Sequence, residues 1–495
     1  MPAWPDQPWI LEINAWTWLC RLSLHYGRKI TLESVPGSVW DDLLSTGADG
    51  VWLMGVWSRS ALAREISMRN ARFVAACQSL LPAFSSADIS GSPYAIGEYS
   101  VDPLLGGPQG LAEARRQLAS RGLRLLLDFV PNHVAPDHPW ITEHPEYFVC
   151  GDPQDEQRDP NAFFRAGKNV IARGRDPYFA PWPDTAQLNA FEPALRAAAV
   201  DTACSIAEQC DGVRCDMAIL LINRIFSQTW SGLVPVPLET EYWRGLIARV
   251  REVHAGFLFV AEAYWDVEWE LLQQGFDYCY DKRLYDRLVE GNPQRIRDHL
   301  AAEIGYQRRL IRFLENHDEP RAAAVFSPPQ NRLAAVALMT SPGAKLLQEG
   351  QFTGAKIQLS VHLGRCPEES PDAELQPFYL NLIEIVRAAR LHDGAWQLCE
   401  QRGWPENQSC HNLMSWCWQV ADRKYVVVLN LSEWRSQGQI LMPGSDFGGK
   451  VWRVCNLLPR QDFGRRSGEE LSLRGLYVDV EAQSFQFLEL VSPVG

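Results

Sequence analysis

The stretch IRFLENHDEPRAAA, residues 311–324, runs out of an apolar segment into Glu315, His317, Asp318, Glu319 and Arg321 within seven positions. Three other apolar runs end in similar company: RLLLDFV (124–130) carries Asp128 and is followed by Asn132 and His133, GVRCDMAI (212–219) contains Arg214 and Asp216, and FLFVAEAYW (257–265) contains Glu262. Carboxylates, imidazoles and a guanidinium that share one site serve proton transfer, nucleophilic attack and charge stabilisation. The same residues spread over separate loops are solvated surface. What decides between the two is the fold that positions them.

Eight apolar runs recur along the chain: 9–16, 50–57, 124–130, 212–219, 257–265, 277–282, 310–318 and 345–350. Between them lie amphipathic stretches such as GLAEARRQLASRG (110–122), PALRAAAVDTACSIAEQ (193–209) and EYWRGLIARVREVH (241–254), whose apolar residues fall at helical spacing. Alternating strand and helix predicts parallel strands, and eight such units predict a TIM (β/α)8 barrel. One connection is too long for that pattern. The Pro-, Asp- and aromatic-rich chain after the third strand predicts an inserted domain B. After about residue 400 the texture changes to short alternating strands separated by Gly, Asp and Ser with no helix, which predicts a C-terminal all-β sandwich. The expected limits are 1–131 with 191–400 for the barrel, 132–190 for the insertion and 401–495 for the β-domain. In a TIM barrel the C-terminal strand ends form one mouth, so Asp128, His133, Arg214, Asp216, Glu262, His317 and Asp318 are expected to converge there.

Composition narrows the partners. With 46% hydrophobic and 22% charged residues the chain is globular, and no run of about 20 apolar residues is long enough to cross a bilayer. A net charge of −13 argues against nucleic acid or an anionic membrane as partner. The twelve cysteines form no CxxC pair, and MPAWPDQPWILEINAW lacks the basic and apolar regions of a secretory signal, so reduced thiols and a cytoplasmic location are expected.

DFVPNH (128–133), GVRCD (212–216), AEAYW (261–265) and ENHD (315–318) stand in the order of the four sequence regions of the α-amylase family, glycoside hydrolase family 13. QLN (187–189) resembles that family's fifth region, and SPYAIGEYSVDPLLGG (92–107) its tyrosine-bearing loop. The chain is therefore similar to that family over nearly its whole length. The resemblance implies retaining cleavage of an α-glycoside, in which two carboxyl groups about 5 Å apart act as nucleophile and acid/base. It assigns Asp216 as nucleophile, Glu262 as acid/base and Asp318 as the third carboxylate. Arg214 then orients Asp216, Asp128, His133 and His317 serve the sugar, and Tyr94 is the platform beneath it. Trp57, Trp140, Trp182 and Trp265 are rim contacts or core packing, with Trp265 the one expected to bind substrate. Phe259, Tyr264 and Trp265 are expected to surround Glu262. Glu315, Glu319 and Arg321 are expected to support the site or lie in solvent.

The sequence also departs from that family. Where many amylases follow the nucleophile with Lys-His, this chain has apolar Met217–Leu221, and Ala95 follows Tyr94 where exo-acting relatives carry Asp. Asn132 is one possible calcium ligand without visible companions, so no cofactor or metal is expected. The apolar segment and the lack of a starch-binding module point to a short α-glucoside or oligosaccharide, glucosylglycerol among the candidates. The alternatives are a transglycosylase of the same family, an amylase acting on α-1,4-glucans, and a non-catalytic binding protein.

Overall fold

A computed structural model of the protein describes residues 4–235 and 237–492. The outer limits 1 and 495 of the expected domains, and Met1–Ala3 of the N-terminal stretch, lie outside the described residues. Eight strands close into a barrel: β1 (Trp9–Asn14), β2 (Gly50–Met54), β3 (Arg124–Phe129), β4 (Gly212–Cys215), β5 (Leu258–Ala261), β6 (Tyr278–Tyr280), β7 (Leu310–Arg312) and β8 (Ala344–Gln348), neighbouring in the order β1-β8-β7-β6-β5-β4-β3-β2. They coincide with the eight apolar runs. Nearly every strand residue is buried, as expected for parallel strands covered on both faces. The chain divides into two compact units, the first holding Ile10–Tyr280 and Leu359–Glu368, the second Asp6–Trp9, Asp281–Gln358 and the chain from Glu369 onward.

In the first unit, helix α1 (Gly107–Ser120) precedes β3, α2 (Pro193–Gln209) precedes β4 and α3 (Tyr242–Val253) precedes β5. Pro193 opens α2 behind Glu192, whose carboxylate accepts from the Ala194 amide. Along α3, Trp243, Leu246, Ile247 and Val250 form the buried stripe at helical spacing. The parallel register aligns Leu126 with Gly212 and Leu258, and Phe129 with Cys215 and Ala261. Asp216 and Glu262 each follow the last paired residue of adjacent strands. The register therefore sets them in one row, about 4.8 Å apart along the hydrogen-bonding direction. Backbone bonds extend that row: Asp216 N donates to Phe129 O at 2.8 Å and Glu262 N to Cys215 O at 3.1 Å.

Immediately after β3 the chain leaves the barrel through His133–Val134, which pairs antiparallel with Ala186–Gln187 on the way back. Between them lies a small sheet of Cys150–Gly151, Asn169–Ala172 and Phe163–Ala166, with an apolar cluster of Val134, Phe148, Ile171, Leu188 and Leu195.

The second unit carries two antiparallel sheets. Six strands, β9 (Ala395–Leu398), β11 (Leu413–Val420), β12 (Arg423–Asn430), β17 (Ser484–Val491), β14 (Val451–Leu457) and β15 (Arg460–Ser467), neighbour one another in that order; three more, β10 (Glu400–Arg402), β13 (Ser436–Leu441) and β16 (Leu476–Val480), make the second sheet. Val426, Val428, Val454 and Leu488 of the larger sheet share a core with Ile440, Leu476 and Val478 of the smaller. The expectation of no helix in this part is wrong: Gly468–Arg474 is helical, capped by Ser467, whose hydroxyl accepts from Glu470 N. Seven residues are too few to display a helical period in sequence, and Leu471 is the only large side chain of the seven that is buried.

Gly212 is a tight point of the first unit's strand packing, closed by two neighbouring strands. A Cβ there would stand 2.7 Å from Leu258 Cβ and 2.8 Å from both Leu126 Cδ1 and the Leu258 carbonyl oxygen. Gly212→Ala is expected to lower unfolding free energy in urea by about 1–3 kcal/mol through overpacking. An unchanged denaturation midpoint would show that the strands part without cost.

Candidate active site

Arg214 is the centre of the site in the first unit. Its side chain is fully buried on β4, Nη1 lies 2.6 Å from Asp216 Oδ1 and Nη2 lies 2.8 Å from Glu262 Oε2. Alternation along the strand puts Arg214 and Asp216 on the same face, and the register supplies Glu262 from next door. Burial works against the charge on Arg214; Glu262, Tyr280, Tyr94 and Asp216 outweigh it and hold its pKa well above the ordinary arginine value. The guanidinium also lies over the rings of Tyr94, at 5.2 Å, and Trp52, at 5.4 Å, and its Nε donates to Tyr280 Oη at 3.3 Å.

Glu262 receives further donors. Met217 N reaches Oε2 at 2.6 Å and Tyr264 Oη donates to Oε1 at 2.8 Å. Met217 can do this because its backbone is left-handed, φ +43°, a conformation that costs a non-glycine residue energy and that clusters at functional sites. The expected surround of Glu262 is only partly right. Tyr264 touches it, whereas Phe259 lies on the opposite face of β5 and packs on Phe257, Phe276 and Arg251. Trp265 is half-buried, at φ +62°, with its ring 4.9 Å from that of Tyr178 in the insertion.

His133 stands with its Nε2 4.0 Å from Asp216 Oδ2 and its ring 5.0 Å from that of Trp182. Burial pushes its pKa down to about 4, against the pull of Asp184 and a hydrogen bond with the Tyr94 backbone, so the ring is neutral near pH 7. Asp128 is buried and braced: Oδ1 accepts from Trp52 Nε1 at 3.2 Å and Oδ2 from Gly55 N at 2.9 Å. Trp57 takes the packing role, not the rim: it is 1% exposed and its indole donates to the Asp128 carbonyl. Trp140 packs against the insertion's apolar cluster. The Asn132 amide is tied into the return ladder of the insertion. Gln187 Nε2 donates to Asn132 Oδ1 at 3.1 Å and to the Asn132 carbonyl at 2.8 Å. Among the described residues no three His, Cys, Asp or Glu side chains group to hold an ion. Ala218–Leu221, the apolar segment taken in sequence to point to a short substrate, form a fully buried 3-10 turn; they are core, and of the segment only Met217 reaches partial exposure.

In the second unit, the stretch after β7 is organised by Asn316, whose Oδ1 accepts from the amides of Asp318 and Glu319, both at 2.9 Å. His317 is buried and its Nε2 lies 3.0 Å from Asp318 Oδ2, while the Asp318 side chain is 45% exposed. Glu315 and Arg321 are not solvated: they form a buried pair at 3.0 Å, and Glu315 also accepts from Ala322 N. Glu319 lies 3.4 Å from Lys282.

Residues 74–275 match the family model of the α-amylase catalytic domain. The matched segment holds β3, β4 and β5, with Asp128, Arg214, Asp216 and Glu262 among its residues. The chain is 27% identical over 245 residues to the α-amylase MalA of Haloarcula japonica, a match covering 48% of this chain and 32% of that protein. It is 29% identical over 206 residues to the α-1,4-glucan:maltose-1-phosphate maltosyltransferase of Burkholderia pseudomallei, covering 40% and 15%. The alignments thus span a third or less of these curated relatives. In fold, the maltogenic α-amylase AmyB of Thermotoga neapolitana superposes with a TM-score of 0.70 over 98% of this chain and 99% of its own, at 20% identity. Sequence reasoning missed Tyr280 outright and gave Tyr264 and Gln187 no hydrogen-bonding role. Tyr280 sits in DYCYDK with no spacing signal of its own, whereas Gln187 lies in the recognised QLN motif and Tyr264 was read only as an aromatic neighbour.

The neutral His133 makes acid stability measurable. Because its pKa in the fold, about 4, lies below the ordinary 6.5, the unfolded chain binds the extra proton first. Stability is complete above pH 6.5 and falls as pH drops toward 4, by roughly 3 kcal/mol for this group. His133→Gln is expected to flatten the pH dependence of urea unfolding across that window by about one proton. A parallel profile would place the titration elsewhere.

Proposed function

We propose that the chain is a retaining α-glycosidase acting on short α-glucosides or oligosaccharides through a covalent glycosyl-aspartate intermediate. The observation that carries this reading is the single guanidinium holding Asp216 and Glu262 in one row on adjacent strands. One arginine spanning two carboxylates favours the roughly 5–5.5 Å separation that retaining chemistry uses. Asp216 attacks the anomeric carbon as the bond to the leaving oxygen breaks, and Glu262 protonates that oxygen. Glu262 then takes a proton from the water that opens the ester. Its Oε1 faces the Tyr264 hydroxyl, which accepts as well as donates, so the protonated acid keeps a partner. His133, neutral at pH 7, is a hydrogen-bonding group for the sugar. The family motif assigns His317 and Asp318 to the same sugar, with Asp318 as the third carboxylate.

The relatives' names, amylase and glucan maltosyltransferase, support α-linked glucose as the sugar; glucosylglycerol is one small member of that class. Transfer to a hydroxyl acceptor is the second reading, favoured by the several maltosyltransferases among the relatives. It uses the same carboxylates. Product analysis on glucosylglycerol, sucrose, trehalose, maltose to maltoheptaose and starch separates hydrolysis from transfer.

Asp216→Asn is expected to abolish turnover with the fold intact, since an amide forms no glycosyl ester. Glu262→Gln should slow unactivated glycosides by about 10²–10⁴-fold and those with good leaving groups less. The first product should be the α anomer by NMR; a β anomer rules the mechanism out. Chelation should move neither rate nor melting temperature, because the Asn132 amide oxygen already accepts from Gln187; calcium-restorable loss would contradict that.

A further inference from the structure

Asp184 lies on the turn that brings the insertion back to the barrel, two residues before Ala186–Gln187. It is 9% exposed, yet no hydrogen bond or ion pair from the described residues reaches its carboxylate. The turn itself is firmly held. Trp182 N donates to Gly174 O at 2.7 Å, Thr185 Oγ1 to Trp182 O at 3.0 Å and Gly174 N to Thr185 Oγ1 at 3.0 Å. Gly174 is wedged against His133 as well: a Cβ on it would stand 2.6 Å from Thr185 Oγ1, 2.9 Å from Trp182 Cε3 and 3.3 Å from His133 Cβ.

The groups that feel the Asp184 charge are His133, His362 and Arg173. None donates to it. His133 is neutral, its ring against Trp182 and its Nε2 4.0 Å from Asp216. His362 has its Nδ1 3.0 Å from Ser67 Oγ, and the Arg173 guanidinium bonds the Pro183 carbonyl and lies over Phe164. Buried carboxylates accept hydrogen bonds, and the Asp184 oxygens are not among the sealed side-chain atoms that lack a partner. Their donors therefore come from outside the chain, from water or from a ligand that displaces it, and the turn that carries Asp184 also packs Trp182 against His133.

We propose that Asp184 is a specificity-determining residue, its carboxylate accepting hydrogen bonds from free hydroxyls of the glycosyl unit seated against His133 and Trp182. This rests on the glycosidase reading and deepens it: the sugar preferred at that position is a pyranose whose hydroxyls facing the insertion carry no further substituent. A site built to bond a hydroxyl discriminates strongly against the analogue lacking it, because the buried acceptor is then left bare.

The test compares wild type, Asp184→Asn and Asp216→Asn on 4-nitrophenyl α-glucoside and its four monodeoxy analogues at C2, C3, C4 and C6. Asp184→Asn should lower kcat/KM on the parent about 10–100-fold. On at least one deoxy glucoside, the one lacking the bonded hydroxyl, variant and wild type should agree within about threefold. Equal loss on the parent and every analogue, or no loss at all, overturns the proposal. Arg173→Gln is the control for a role limited to charge balance: if it reproduces the Asp184→Asn pattern, the proposal fails. Should Asp184→Asn not fold, wild type alone decides, since turnover of all four deoxy glucosides within threefold of the parent is incompatible with a bonded hydroxyl. Full activity in Asp216→Asn would instead sink the glycosidase reading, whereas a dead Asp216→Asn beside an unaltered Asp184→Asn sinks only this inference.

Discussion

One buried cation sets the geometry of the first unit's chemistry. A guanidinium with no exposure is tolerable only with anions at hand, and the two nearest are the carboxylates that the barrel register delivers to adjacent strand ends. The constraint runs both ways. Arg214 needs Asp216 and Glu262 to remain charged in the interior, and they need Arg214 to stand side by side without repelling. Tyr280, Tyr94 and Trp52 surround the same cation with ring faces and a hydroxyl, which keeps the guanidinium plane fixed where water would let it turn. Because the two carboxylates share one cation, the charge on each is felt by the other through it.

Around that centre, the backbone is set to serve the side chains. Asp128 is the brace between strand ends, taking the Trp52 indole and the Gly55 amide on its two oxygens. Met217 turns left-handed directly after Asp216, and its amide reaches Glu262. The buried Ala218–Leu221 turn behind it is anchored by the Trp243 indole on the Ala218 carbonyl. What reads in sequence as a greasy substitute for a polar subsite is packing that holds this turn in place. In the second unit, the charges of residues 315–321 separate by role in the same way: Glu315 and Arg321 are buried framework, and Asn316 shapes the turn that presents His317 and Asp318.

The barrel was legible because parallel strands buried on both faces leave unbroken apolar runs, and all eight runs became barrel strands. Asp216, Arg214 and Glu262 were legible because they close such runs at fixed offsets. Less was visible where burial depends on contacts distant in sequence. Nothing local marks Tyr280 as the partner of Arg214, separates Trp57 in the core from Trp265 nearer the surface, or reveals that Gln187 fills the Asn132 amide. The surround of Glu262 was misjudged for a different reason. Phe259 is near in sequence, but three positions along a strand reverse the face. The helix Gly468–Arg474 was missed because one buried leucine in seven residues has no period to detect.

The insertion joins the barrel through a ladder two residues long, His133–Val134 against Ala186–Gln187. Everything between those anchors has its own small sheet and its own apolar cluster, while the row of Asp216 and Glu262 is fixed by strand register elsewhere. The Asp216–Glu262 row and the residues packed around His133 are thus held by separate sets of contacts. A change of length between Ala135 and Thr185 is absorbed inside the insertion's own sheet and apolar cluster, and the strand register that sets the two carboxylates side by side does not pass through it.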